Sequence, residues 1–105
     1  MRTEIVQSTG KDDIYNWRGY NIKGTYVKLT WNPSTAPQGV RYYNIYRNNT
    51  ENFSPAPATL IGSTIEPIFI DTKIKNSMEY YYKIVAVDNW DNSSEASTIL
   101  KAVIP

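Results

Sequence analysis

The chain has 105 residues, 41 % of them hydrophobic, enough for one packed domain and too few for two. Its net charge of +1 comes with no basic run, which leaves no concentrated positive patch for nucleic acid or a membrane surface. It has no Cys and no His, so thiol catalysis, thiolate metal sites and the usual general base near neutral pH are all missing.

Residues 1–13 are polar apart from Ile5-Val6 and read as a linker or a leading edge strand, closed by the turn signal Gly10-Lys11-Asp12-Asp13. Residues 14–22 (IYNWRGYNI) are rich in aromatics and broken by Gly19, which predicts a first strand with a kink or bulge. After the turn Lys23-Gly24-Thr25, residues 26–31 (YVKLTW) alternate apolar and polar side chains, the period of a half-buried strand. Pro33 ends that strand, because proline cannot donate to the ladder, and a loop rich in Pro, Ser and Gly follows.

Residues 40–47 (VRYYNIYR) form the next predicted strand. Residues 48–57 are a loop in which Phe53 is a candidate anchor, and Thr59-Leu60-Ile61-Gly62 reads as a short edge strand. Ile68-Phe69-Ile70-Asp71 follows, then a connecting corner over residues 74–79. Residues 80–87 (YYYKIVAV) carry the strongest strand signal, and the polar loop DNWDNSS leads to a last strand centred on Thr98-Ile99-Leu100. About seven short strands, spaced roughly 8–12 residues apart, predict an all-β, seven-stranded antiparallel sandwich. Val27, Leu29, Trp31, Val40, Tyr43, Ile45, Tyr80, Tyr82, Ile84 and Ala86 are its expected core.

Several of these segments together resemble a fibronectin type III domain. They are the strand VKLTW ending in Trp31, the run YNIYR at Tyr43, LIGST followed by FIDT, and YKIVAVD before SEAS. Ile74, Asn76 and Tyr80 fall where that family has the Leu, Pro and Tyr of its tyrosine corner, with Asn76 in place of the Pro. The resemblance covers roughly residues 20–105, so that residues 1–13 stand apart as a leading segment and 14–105 as the sandwich. It implies an immunoglobulin-like sandwich of the kind found in bacterial secreted carbohydrate-active enzymes, where such modules lie between or after the catalytic and sugar-binding modules. A secreted or cell-surface location follows from it, as do neighbouring modules of the same chain as partners.

Nothing in the chain supports catalysis, a cofactor or a metal. The adjacent carboxylates Asp12-Asp13 diverge, the serines have no His partner, and no glycine-rich phosphate loop follows a strand. Asp88-Asn89-Trp90-Asp91-Asn92 brings oxygen side chains close together but lacks the Gly and Glu of a calcium loop in register, so a solvated turn is the preferred reading. Met1-Arg2-Thr3-Glu4 leads into polar sequence rather than an apolar leader, and no stretch approaches the roughly 20 apolar residues that span a bilayer. The chain reads as a monomeric fragment of a longer protein, with no nucleic-acid partner and no membrane insertion.

Two tryptophans are the candidate contacts with a polysaccharide or a protein partner. Trp90 sits in a polar loop, where the preferred reading folds it back over the end of the sandwich and the alternatives place it against a neighbouring module or a sugar. Trp17 reads first as packing for the leading strand and second as an intermodule contact.

Overall fold

A computed structural model describes residues 2–7, 15–17, 20–22, 25–33, 39–97 and 99–104. These hold nine strand segments, against the expected seven: β1 (Arg2–Gln7), β2 (Tyr15–Trp17), β3 (Tyr20–Ile22), β4 (Thr25–Thr30), β5 (Val40–Asn48), β6 (Leu60–Thr64), β7 (Ile68–Asp71), β8 (Glu79–Asp88) and β9 (Leu100–Val103). One 3-10 turn, Pro57–Thr59, precedes β6. All pairings between named strands are antiparallel. Strands β1, β4 and β7 make one sheet, β6, β5, β8 and β9 a second, and β2 pairs with β3 alone.

The core fills the space between the two larger sheets. Val27, Leu29, Trp31 and Phe69 come from the three-stranded side, and Tyr43, Ile45, Tyr80, Tyr82, Ile84 and Ala86 face them from the four-stranded side. Trp31 packs edge-on against Tyr43, with ring centroids 5.2 Å apart and planes at 74°. Val40 packs partly buried against the same cluster although its spacing from Tyr43 breaks a period of two. A register shift between Val40 and Tyr42 absorbs the extra residue and returns both side chains to one face.

Two segments differ from the sequence reading, and a third decides between its two alternatives. Residues 14–22 are not one kinked strand, because Trp17 pairs with Tyr20 and the chain reverses between them. A glycine in a two-residue connection marks a hairpin, and the same glycine inside a continuous run reads as a bulge. Of the two readings of the leading segment, β1 is an edge strand, paired with β4 from Arg2↔Thr30 to Gln7↔Thr25.

The last strand begins later than expected, at Leu100. Before it, Ser94 and Ser97 hold the chain against β8 by an unusual substitution. Their backbone N–H groups donate to the carbonyls of Ala86 and Ile84. Their hydroxyls accept from the N–H groups of the same two residues, each at 2.9 Å. Side-chain oxygens thus replace strand carbonyls, a local competition that Ser is suited to.

The order of the strands fixes two ends. Asp88 pairs with Val40 and the short turn from Thr64 to Ile68 brings β7 beside Thr30, so the ends of β4 and β8 lie together. Arg2 pairs with Thr30 at this end, while Val103 pairs with Glu79 at the other. Strand β8, at about 3.3 Å per residue, therefore separates entry from exit by about 30 Å.

At the exit end the corner over Tyr80 is closed. The Lys75 N–H donates to the Tyr80 hydroxyl at 2.8 Å, and Ile74 packs against the core. Phe53, only 8 % exposed, does anchor its loop: the Lys83 ammonium donates to the Phe53 carbonyl at 2.6 Å and lies 5.2 Å from its ring.

Candidate functional site

The turn after β8 is built around one carboxylate. Oδ1 of Asp88 accepts the N–H groups of Trp90 at 2.9 Å and Asn92 at 2.8 Å, and Oδ2 accepts the Asn92 side-chain amide at 3.3 Å. The Asp88 N–H donates to the Asn92 carbonyl, and the Asp91 N–H to the Asp88 carbonyl. Asp91 takes a left-handed φ of 64°, which Asp tolerates better than most residues. The Asn89 N–H ties the turn to the Gly39 carbonyl at the start of β5. Gly39 is itself at φ 78°, and a Cβ there would come within 2.9 Å of the Asn89 side chain.

The close-set oxygens of this loop therefore act as a backbone cap, with the Asp88 carboxylate already occupied by N–H donors. Among the described residues no group of three or more His, Cys, Asp or Glu could hold a metal ion.

The turn holds Trp90 outward. Its side chain does not fold back over the sandwich, because the residue is 72 % exposed. Beside it the Arg41 guanidinium donates to Oδ1 of Asp91 at 2.6 Å and lies 5.7 Å from the Tyr42 ring. Trp17 lies on β2 opposite Tyr20, and its side chain is outside the described residues.

The N–H groups of Asn92 and then Trp90 hold the Asp88 carboxyl below the usual carboxylate range, against the opposing effect of burial. The unfolded pKa is about 3.9 and the folded one lies lower. The cap is thus complete above the unfolded value and lost as pH falls through the folded value. Expected: the Trp90 and Asn92 amide resonances follow one titration with a midpoint below that of an unstructured Asp, and Asp88→Ala removes it. A midpoint at or above the ordinary value would show that the cap does not favour the carboxylate.

The described residues line two clefts beside the sandwich. One, of about 400 Å³, lies where residues 93–97 replace a regular strand and is lined by Trp31, Asn32, Ile84, Ala86 and Glu95. The buried indole Nε1 of Trp31 has no hydrogen-bond partner among the described residues.

The second, of about 260 Å³, has Arg47 and Asp71 in its lining. Nη1 of Arg47 donates to both carboxylate oxygens of Asp71, at 3.0 and 2.8 Å, and to the Lys73 carbonyl at 2.8 Å. The Tyr82 hydroxyl donates to Oδ2 of Asp71 at 2.6 Å, and the Lys73 N–H to Oδ1 at 3.1 Å. Burial first, and the Asp71 charge second, push the Tyr82 hydroxyl up, so it stays protonated and donates.

Sequence reasoning placed Tyr82 in the core and missed its partners Arg47 and Asp71. The available signal was parity: Asp71 stands two residues from Phe69 and so shares its inward face. Both buried carboxylates among the described residues, Asp71 and Asp88, are thus held by fixed donors.

No family model matches the chain. It is 41 % identical over 81 residues to an amylopullulanase of Thermoanaerobacterium thermosulfurigenes, a match that takes in 75 % of this chain and 4 % of that protein. It is 37 % identical to exoglucanase B of Cellulomonas fimi, across 75 % of this chain and 7 % of the enzyme. It is 31 % identical to chitinase 63 of Streptomyces plicatus, across 77 % and 12 %.

Among solved structures, pectate lyase PelI of Erwinia chrysanthemi in complex with tetragalacturonic acid superposes with a TM-score of 0.58 at 19 % identity, covering 97 % of this chain and 28 % of that one. That likeness shows an all-β fold shared with part of a larger protein. The chain spans a small fraction of the curated relatives it matches, and the resemblance read from its sequence holds as a segment carried within bacterial carbohydrate-active enzymes.

Proposed function

Taking the chain as a segment that recurs inside such enzymes, we propose that it is an immunoglobulin-like sandwich of the fibronectin type III kind, acting as a non-catalytic accessory module of a secreted multidomain glycoside hydrolase. The observation that carries this is the breadth of the matches. One segment of about 80 residues recurs in enzymes named for pullulan, glucan and chitin chemistry, and a part common to all three cannot set the specificity of any. The module works mechanically, as a monomer whose first strand enters at one end and whose last strand leaves at the other. It holds its neighbours about 30 Å apart, the length of β8. Its partners are the adjoining modules of the same chain, and contacts of that kind are modest and polar.

A second reading, as a binding module, is favoured by the exposure of Trp90 and is taken up below.

The test places the chain between two fluorescent reporter domains and measures the distance between them by energy transfer, with hydrolysis of starch, cellulose and chitin assayed in parallel. The expected outcome is one narrow distance distribution and no reducing sugar released. A distribution as broad as that of a Gly/Ser linker of equal length, or turnover abolished by a single carboxylate substitution, would sink the proposal.

A further inference from the structure

We propose that the Trp90 turn is a stacking platform for one pyranose ring of a neutral glycan. This deepens the binding reading above and is independent of the spacer role.

Trp90 carries its indole outward. It is 72 % exposed, yet the backbone that carries it is pinned by the Asp88 cap and tied to Gly39. A large aromatic already held in place binds without a further cost of ordering its loop.

The size of the apolar surface then selects the partner. Among the described residues the other exposed large apolar side chains are Leu60, Ile65, Met78 and Val103. Met78 and Val103 lie at the far end of β8, and Leu60, paired with Tyr46, also points to that end of β5. Ile65 follows β6, with β5 between it and β8, two strand spacings or about 10 Å to the side. Among the described residues the exposed apolar surface at this turn is thus close to a single indole face. A stable protein interface buries about 800 Å² on each partner, far more than one side chain supplies. A pyranose ring needs less: one flat C–H face to lie on the indole, and polar groups for the hydroxyls around its edge.

The rim supplies those groups. Arg41 and Asp91 lie beside the turn with side chains 53 % and 71 % exposed. A sugar hydroxyl can accept from one and donate to the other. The pair, 2.6 Å apart, is neutral as a unit. It offers no net positive charge to a uronate or sulfated chain, and so the ligand class is neutral hexose or N-acetylhexosamine polymers.

The experiment titrates the isotope-labelled chain with maltoheptaose, cellohexaose and chitohexaose, and with tetragalacturonic acid as the acidic control, following the Trp90 indole N–H resonance. The expected result is a saturable shift with at least one neutral probe in the millimolar range. Trp90→Ala abolishes binding without moving the melting temperature, because the ring packs on little. Asp91→Ala weakens binding about threefold to tenfold, the loss of one hydrogen bond.

Three results would overturn the proposal. The first is no shift with any neutral probe. The second is a response to tetragalacturonic acid alone that Arg41→Ala removes. The third is a Trp90 shift that follows protein concentration rather than glycan, which would mark a self-association surface. None of them bears on the distance measurement, so failure here leaves the spacer reading standing.

Discussion

Trp31→Ala is expected to abolish cooperative unfolding or to lower the melting temperature by about 20 °C, as judged by circular dichroism. Trp31 is 8 % exposed and bridges the two sheets, following β4 on one side and packing edge-on against Tyr43 on the other. Truncation of a buried Trp to Ala costs about 3–5 kcal/mol, through lost transfer free energy and the cavity left behind. A domain of this size has only about 5–15 kcal/mol in total. Trp31→Phe separates packing from polarity. The Nε1 group has no partner among the described residues, so Phe discards no hydrogen bond there and is expected to recover most of the loss. A melt for Trp31→Ala within a few degrees of wild type would mean that the two sheets are not held together at this residue.

Trp31 was legible because its signal is local. Val27, Leu29 and Trp31 alternate with Lys28 and Thr30, and a strand with one apolar face has only one register that buries it. Tyr80 and the corner that holds its hydroxyl were legible for a related reason, since the spacing from Ile74 is short. The hairpin at residues 14–22 was not. A three-residue strand carries too little alternation to separate two strands from one. The late start of β9 was also hidden, because Ser94 and Ser97 occupy the strand's place by side-chain hydrogen bonds that no apolar pattern announces.

At the candidate site, the sequence marked Trp90 as an aromatic in a polar loop but could not say which way it faced. That depends on Asp88, whose oxygen-rich surroundings look the same in a cation loop as in a capped turn. Charge burial was the least legible feature. Asp71 reads as the polar end of a strand, and its partner Arg47 is 24 residues away in the chain and on the other sheet.

That hidden pair sets the second large effect. Asp71→Ala is expected to destabilise the fold by about 3–5 kcal/mol in chemical denaturation, the usual result of leaving a buried charge without its partner. Asp71 is 4 % exposed and receives the Arg47 guanidinium, the Tyr82 hydroxyl and the Lys73 N–H. Alanine would strand the hydroxyl of Tyr82, itself fully buried, and leave Arg47 with the Lys73 carbonyl and the face of the Tyr80 ring. Arg47 keeps 22 % of its side chain in solvent, so part of its charge can rehydrate, which places the expected cost toward the lower end of the range.

The cost of the broken network is not the worth of the intact one. Desolvating two charges offsets much of their attraction, and well-packed apolar groups of similar shape often do as well. The triple replacement Arg47→Met, Asp71→Leu, Tyr82→Phe is therefore expected to be far more stable than Asp71→Ala alone, although it removes more polar contacts. If the triple variant were the less stable of the two, the cluster would be contributing net stability through its hydrogen bonds. If instead Asp71→Ala unfolded at nearly the wild-type denaturant concentration, Arg47 and Tyr82 would have to be reaching water.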